Sequence, residues 1–360
     1  MCYSVRWGDP YWAVSDDVEY FRYFGVDACR LFCLYVYSKT PNSVMDITSF
    51  GSIFCSVLCC VGIFISMKKY GKWIAAAVVL LMALLSFIIQ KVSSPYGSDG
   101  TLVFDDPTQP YIKVHVLDVG QADAIIVELP GHRAMMIDAG TSDSFGEIKA
   151  YLDMLAIKKI DYMVGTHPHE DHIGSLRKIM GVFSIGKLYM PNVEDAPMQE
   201  IRLDAEERDI PVCDAKAGIV LLDEEDLRVE ILAPNREAYE DMNDSSVVVK
   251  ITYMNNRFLF AGDATMLSEK EMLLHQADLD ADVLKIAHHG ADTSTGDEFL
   301  AAVSPKYAII SLEENNHYGF PDPTVSERLA KNDVKVYRTD LNGTVIFFGN
   351  GQRIGVKTEK

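Results

Sequence analysis

Residues 166–172 read Thr166-His167-Pro168-His169-Glu170-Asp171-His172, three imidazoles and the Asp171 carboxylate within six positions. In an extended segment side chains two apart point the same way, so His167, His169 and Asp171 can share one face. His172 projects elsewhere unless the chain turns into a helix there, and Ile173-Gly174-Ser175-Leu176-Arg177-Lys178-Ile179-Met180 reads as a helix start. One short loop can then offer two nitrogens to one metal ion, and an oxygen and a nitrogen to a second. The chain has nine His among 360 residues, so three in this pattern mark a site rather than an ordinary polar loop.

On either side of this loop, strand-like runs are expected at 111–117, 124–129, 133–137, 161–165 and 187–190, then at 228–232, 246–254, 257–261, 282–287, 306–311, 334–338 and 344–348. Helix-like stretches fall near 145–156, 172–180, 197–208, 265–276, 297–303 and 323–331. Pro130-Gly131 reads as a hairpin turn and Pro234-Asn235 as a loop opening. Strands bunched in each half predict two mixed sheets packed together, not one doubly wound parallel sheet.

Three further chain segments share one pattern of apolar run followed by potential ligands. Arg133 to Ile137 ends in Asp138-Ala139-Gly140, and Phe258 to Ala261 runs into Gly262-Asp263. Asp282 to Ala287 leads to His288-His289-Gly290. Together with His-x-His-x-Asp-His, and in this order, they resemble the metallo-β-lactamase superfamily. Val114-His115-Val116-Leu117-Asp118-Val119-Gly120-Gln121-Ala122-Asp123-Ala124, Asn243-Asp244-Ser245-Ser246 and Asn316-His317-Tyr318-Gly319 are similar to the extracytoplasmic domain of ComEC-type DNA-uptake competence proteins. The resemblance spans roughly residues 108–350. It implies an α/β fold, the αββα sandwich, with metals at one edge where loops of both sheets meet.

Three departures stand out. No His lies between His172 and Asp263, where β-lactamases and glyoxalases place a third imidazole for the first metal; the competence-type branch resembles this chain in that respect. Phe320-Pro321 follows Gly319 where the branch more often has His-Pro, which removes any substrate contact made by that His. The many-helix channel and oligonucleotide-binding domain of a full competence protein are not found in this sequence, so a DNA pore is not the expectation.

The resemblance implies that His167 and His169 hold the first metal. Asp171, His172 and one of His288 and His289 hold the second, and Asp263 bridges the two. His289 is assigned as the ligand because it abuts Gly290, where backbone can approach closely; the reverse assignment stays open. His288 is then free to donate to a substrate oxygen. Asp138 is read as accepting the far N–H of a ligand His and so fixing its tautomer, or else as a strand-end turn residue. Imidazole with carboxylate suits zinc first, with manganese or iron as alternatives. A pair of such ions acidifies bound water and makes a nucleophile available at neutral pH. Asp171 can orient that water or carry its proton, and phosphoryl oxygens fit two adjacent cations well.

Further residues are weighed as substrate contacts: Asn243 and Ser245, Lys306, Asn316 and His317. Asp118 and Asp123 are read as shaping the turn after the first strand. His115 reads as a packed histidine, and His132 and His275 as exposed.

Charge is lopsided. Residues 1–100 hold 8 Lys/Arg against 7 Asp/Glu, which leaves 25 against 45 for the remainder, a net of −20. Such a surface repels an extended polyanion and favours solubility. Two apolar runs precede the domain, Phe50 to Met67 and Ile74 to Ile89, with Lys68-Lys69-Tyr70-Gly71-Lys72-Trp73 between them. They predict either a two-helix hairpin or, starting at Met67, an uncleaved signal-anchor over 67–91. On the second reading residues 1–66, with one apolar segment at 50–67 and six of the seven Cys, are a spurious N-terminal extension. Residues 92–110 read as a linker, and 111–356 as the catalytic domain. One or two transmembrane helices thus precede the sandwich, at the cell membrane with the domain outside.

The function expected is an anchored, extracytoplasmic, dinuclear metal-dependent hydrolase of phosphodiesters, on single-stranded DNA or a small or cell-wall ester, with a permease as potential partner. The alternatives are a lactam, lactone or thioester hydrolase of the same fold, or a non-catalytic accessory protein in DNA uptake or envelope assembly.

Overall fold

Alternation sets the first sheet. In Ala124–Leu129 (β2) the side chains of Ile125 and Val127 face one way and Ile126 the other, and all three are buried. A strand covered on both faces needs a layer on each side. The computed structural model describes residues 111–360; the extension, signal-anchor and linker expected over 1–110 lie outside the described residues. Among the described residues no helix is long and apolar enough to cross a membrane.

β2 pairs antiparallel with Ile112–Val116 (β1) and, through the Pro130-Gly131 turn, with Arg133–Ala139 (β3). Lys159–Val164 (β4), Ser184–Met190 (β5) and Val212–Asp214 (β6) then add in parallel. The crossovers carry Phe145–Met154 (α1), the short pair Glu170–Ile173 (α2) and Leu176–Met180 (α3), and Ala196–Glu207 (α4). The second sheet begins with Val220–Asp223 (β7), Leu227–Ala233 (β8), Val248–Tyr253 (β9) and Asn256–Phe260 (β10), all antiparallel. Val283–Lys285 (β11), Tyr307–Ile310 (β12) and Lys335–Arg338 (β13) continue it in parallel. Met266–Leu274 (α5), Asp297–Val303 (α6) and Pro323–Lys331 (α7) cover its outer face. After Thr339–Asn342 (α8), Val345–Gly349 (β14) and Ile354–Thr358 (β15) return to the first sheet beside β1. The order is β15-β14-β1-β2-β3-β4-β5-β6 in one sheet and β13-β12-β11-β10-β9-β8-β7 in the other.

Three apolar layers result. Val114, Val127 and Ile137 meet Val229, Ile251 and Phe258 between the sheets. Ile126, Met136 and Leu188 pack outward on Ile148, Leu176 and Met198. Leu259, Leu284 and Ile310 pack outward on Met272, Phe299 and Leu329. This is the αββα sandwich expected.

Details depart from the sequence reading. The helix expected over 172–180 is two short pieces, and Gly174 marks the break. A Cβ there would lie 2.4 Å from Ser142 N and 2.5 Å from Glu170 O, so only glycine fits. Strands β6, β7 and β15 were not expected; each is short and partly exposed, and the apolar run Ile219-Val220-Leu221-Leu222 at β7 was passed over.

Glu269 on α5 is buried and accepts the N–H groups of Thr295 at 2.5 Å and Gly296 at 2.9 Å. Burial pushes its carboxyl up to about 7, against the pull of those N–H groups and Arg328. A carboxyl raised in the folded state above its ordinary 4.5 stabilises the fold fully below that value, and the contribution is lost as pH rises through about 7. Thermal stability is therefore expected to fall between pH 5 and 8 by up to about 3 kcal/mol from this group, at ~1.4 kcal/mol per pKa unit. Glu269→Gln should flatten that slope, and an unchanged slope would remove Glu269 as its source.

Candidate metal centre

The histidine loop leaves the carboxyl end of β4, the edge at which β3, β10, β11 and β12 also end. Thr166 O accepts the N–H of Val247, and Asp171 O accepts that of Asp123, so loops of both sheets are stitched together here. His169 is still extended, but the chain becomes helical at Glu170. Asp171 and His172 are thus consecutive helical residues, and Asp171 does not share a face with His167 and His169 as expected: it groups with His172 instead.

Three groups of side chains converge among the described residues; Asp263 belongs to two, and the third, Asp123, Asp138 and His172, shares His172 with the first. Asp171, His172, Asp263 and His289 form the first; His167, His169 and Asp263 form the second. The Asp263 carboxylate is divided between them: Oδ1 lies 3.3 Å from His172 Nε2 and 4.0 Å from His289 Nε2, while Oδ2 lies 3.6 Å from His167 Nε2. His289 Nε2 is also 3.3 Å from Asp171 Oδ2, and His172 Nε2 3.7 Å from the same oxygen. His167 Nε2 and His169 Nδ1 are 3.1 Å apart.

These atoms fit cations. Ligands on a tetrahedral ion with bonds of ~2.0–2.2 Å sit ~3.3–3.6 Å apart, and the separations above cluster there. His172 Nδ1 donates to Asp138 Oδ2 at 2.7 Å and His289 Nδ1 to Ser311 O at 2.7 Å. Each hydrogen bond holds a ring proton on Nδ1 and aims Nε2 at carboxylate oxygens; with no cation between them, burial opposes charge on both rings, but those carboxylates outweigh it and draw them above the usual imidazole range. His172 Nε2, His289 Nε2 and Asp263 Oδ1 are buried without hydrogen-bond partners. Acceptors aimed at one another in a buried site call for positive charge between them.

Electrostatics agree. Burial raises the Asp263 carboxyl, but the His172 and His289 imidazoles outweigh it and hold it well below the usual carboxylate range. Asp171 is likewise drawn down to about 2, burial opposing and His289 and His172 prevailing. Burial, with His172 adding to it, keeps His167 well below the usual imidazole range and therefore neutral.

Beneath the ligands, Asp138 accepts from Thr166 N at 2.8 Å, Thr166 Oγ1 at 2.7 Å and His172 Nδ1. Asp138, His288 and His289 all have positive φ, of 58°, 49° and 51°, a conformation costing about 1–3 kcal/mol each that persists where surroundings enforce it. Gly290, at φ 85°, permits the approach: a Cβ there would meet Pro321 Cβ at 2.7 Å. Of the His pair, His289 is buried within the first group, whereas His288 is partly exposed with Nε2 3.9 Å from Asp263 Oδ2.

The remaining expected residues divide. Asn243 is buried near Ser246, whose Oγ accepts the Asp263 N–H at 3.1 Å, and its Oδ1 lacks a partner. Ser245 donates to Met242 O. Lys306 is not brought to the site: it precedes β12 and pairs with Asp282 at 2.8 Å, whereas Ser311, which holds His289, follows that strand. Five residue steps along the strand separate the two by ~16 Å. Asn316 is also a correction as a substrate contact, because its amide is consumed by Phe320 N and O and Glu313 O. His317 is exposed against Tyr318. Asp118 pairs with Lys360, and His115 is packed against Glu128 and Tyr151.

Asp123 does more than shape a turn. It is buried and pairs at 2.9 Å with the buried Lys285, which joins the two sheets under the ligands; its Oδ1 lies 3.8 Å from His289 Nδ1. Sequence reasoning missed Lys285; the signal was a lysine closing the apolar parallel strand β11, where an unpaired cation is not tolerated. Lys285→Met, which leaves the Asp123 carboxylate buried and uncompensated, is expected to cost about 3–5 kcal/mol in urea unfolding. Adding Asp123→Leu should restore part of that loss; a milder single variant would mean that Asp123 finds another partner.

A site of this kind at this edge of an αββα sandwich defines a metal-dependent hydrolase class, and the sequence profile of the metallo-beta-lactamase superfamily matches residues 117–313. The chain belongs to that superfamily. Its relatives there include a competence protein. ComE operon protein 3 of Bacillus subtilis (strain 168) is 31% identical over 252 residues, covering 65% of this chain and 32% of its own length. Competence protein ComA of Neisseria gonorrhoeae is 29% identical over 249 residues, covering 69% and 33%. Recombination protein 2 of Haemophilus influenzae is 30% identical over 249 residues, covering 68% and 30%. The chain thus spans about a third of the length of these curated relatives, and its domain is of the ComEC-type competence branch.

Proposed function

We propose that this domain is a dinuclear phosphodiesterase. The observation that carries the reading is the division of the Asp263 carboxylate, one oxygen to each ligand group. His167 and His169 would hold one ion, and Asp171, His172 and His289 the other, with Asp263 between them. Zinc suits this donor set first, with manganese or iron as alternatives. Bound divalent ions supply Lewis acidity, which lowers the pKa of water from 15.7 to near 7.

The chain's own residues do the rest. Asp171, ionised and about one-third exposed, can accept a hydrogen bond from the attacking water and orient it towards phosphorus. As the new P–O bond forms and the ester P–O bond breaks, the water's proton passes by way of Asp171 to the departing alkoxide oxygen. His288 is kept below the usual imidazole range, chiefly by burial, so it can donate a neutral N–H to a phosphoryl oxygen. A cavity of about 790 Å³ is lined by Asn192, Lys216, Asn235, Tyr239 and Ser245, and none of the ligand residues lines it. Asn243 and His317 remain candidates for substrate contact.

Two imidazoles on the first ion, with no third in the chain between His172 and Asp263, leave open positions that favour an anionic ester over a lactam, lactone or thioester. A non-catalytic accessory role accounts less well for orphaned, convergent ligand atoms. We also propose that residues 67–91 anchor the domain outside the cell membrane, where a permease would be its partner. The full chain, loaded with zinc or manganese and verified by elemental analysis, should hydrolyse bis-p-nitrophenyl phosphate. Full occupancy without turnover on either metal removes the phosphodiesterase reading, and nitrocefin turnover in its place would favour the lactam alternative.

A further inference from the structure

The paired histidines at 288 and 289 are told apart by what faces their Nδ1 atoms. A neutral imidazole donates from one ring nitrogen and accepts at the other. His289 Nδ1 faces the Ser311 carbonyl at 2.7 Å, a group with no proton to give, so this ring keeps its proton on Nδ1. His288 is built differently. Its Nδ1 lies 3.3 Å from the Thr293 hydroxyl, which can donate as well as accept.

The other end of the ring decides the direction. His288 Nε2 lies 3.9 Å from Asp263 Oδ2, the oxygen turned towards His167 Nε2. Asp263 stays ionised. A proton on Nε2 is attracted to that oxygen, whereas a bare lone pair is repelled by it. With Nε2 protonated, Nδ1 is the acceptor and the Thr293 hydroxyl the donor. Once a cation shares Oδ2 the pull of the carboxylate weakens, and the hydroxyl is what keeps the proton in place.

Backbone bonds fix that hydroxyl beside the ring. Thr293 O accepts the Met266 N–H at 2.9 Å, and Ser294 Oγ donates to Ala264 O at 3.0 Å, which ties the loop to the segment after Asp263. On its far side Glu269 takes the N–H groups of Thr295 and Gly296, and Arg328 donates to Thr295 O at 2.6 Å. The His288 N–H in turn donates to Gly262 O at 3.1 Å, and Phe320 meets the ring edge-on with centroids 6.0 Å apart. The Thr293 side chain itself is exposed and takes no part in the core.

We infer that Thr293 is a positioning residue: its hydroxyl donates to His288 Nδ1 and keeps the ring proton on Nε2. His288 is thereby a donor to the substrate rather than a third imidazole for the first ion. The substrate part rests on the phosphodiesterase reading; the tautomer does not.

The zinc-loaded full chain, with nitrogen-15 in its histidine rings, would be read by two-bond proton–nitrogen correlation, which separates protonated from bare ring nitrogens. His288→Gln assigns the signals of that ring. Native His288 is expected to carry its proton on Nε2. Thr293→Val, of the same shape without the hydroxyl, should mix or reverse the tautomers, and Thr293→Ser should restore the native pattern. Thr293→Ala repeats the test should valine disturb the loop. Turnover of bis-p-nitrophenyl phosphate should follow, with kcat/KM lower by about 2–10-fold in Thr293→Val, the worth of one neutral hydrogen bond, and recovered in Thr293→Ser. A native His288 protonated on Nδ1, or an unaltered tautomer in Thr293→Val and Thr293→Ala, overturns the inference. So does undiminished turnover in a variant whose tautomer has switched. Tautomers that obey Thr293 in a protein that cleaves no ester would keep the positioning role and discard the phosphodiesterase reading instead.

Discussion

Asp263→Ala protein is expected to be purified without stoichiometric metal and with hydrolysis reduced ~10³-fold or more, since loss of several kcal/mol of charge stabilisation has that effect on rate. The size follows from position. Both carboxylate oxygens are engaged, Oδ1 towards His172 and His289 and Oδ2 towards His167. Removing one side chain therefore opens both ligand groups, whereas His169→Ala opens only one. Elemental analysis beside circular dichroism distinguishes the two cases. A folded Asp263→Ala protein that retains its full metal content would show that the carboxylate does not join the groups.

Asp138→Asn is expected to be nearly as damaging, although the residue touches no ion. Its carboxylate accepts three hydrogen bonds, from Thr166 N, Thr166 Oγ1 and His172 Nδ1. An amide can accept on one atom only, so its NH₂ confronts at least one donor. Each buried polar group left unpaired costs about 1–3 kcal/mol. If the NH₂ faces His172, the imidazole proton moves to Nε2 and the lone pair is withdrawn from the ligand group. Metal affinity should fall ~10–100-fold, as for other residues behind a ligand. Isothermal titration with zinc and thermal unfolding would follow the two effects separately. Unaltered affinity with lowered stability would mean that Asp138 serves the loop and not the imidazole.

Much of this site was legible because its ligands are either contiguous or mark the ends of apolar runs. His167, His169, Asp171 and His172 sit in one loop, Asp138 lies at the end of a strand, and Asp263 and His289 each follow one. Strand polarity was the physical fact left unused for Lys306. In a parallel sheet the first and last residues of a strand lie at opposite edges, and Lys306 comes first in its strand while the ligands come last. Asn316 was misread for a different reason: a polar side chain next to a glycine turn serves its own backbone as readily as a substrate. Lys285 and Asp123 could not be paired from sequence, because nothing local records which strands of two packed sheets face each other. The fold class was legible from the bunching of strands, but β6, β7 and β15 were not, since each is a short, partly exposed strand at the end of its sheet.

The ligands come from both layers: the histidine loop from the first sheet, Asp263 and His289 from the second. Ion loading is consequently a clasp across two half-shells, and it makes occupancy a folding variable as well as a chemical one. A thousandfold excess over the dissociation constant adds about 4 kcal/mol to the folded state. Stripping by a chelator should thus soften the whole seam, so that protease nicking of the apo form begins at the rim loops well before the sheets themselves melt.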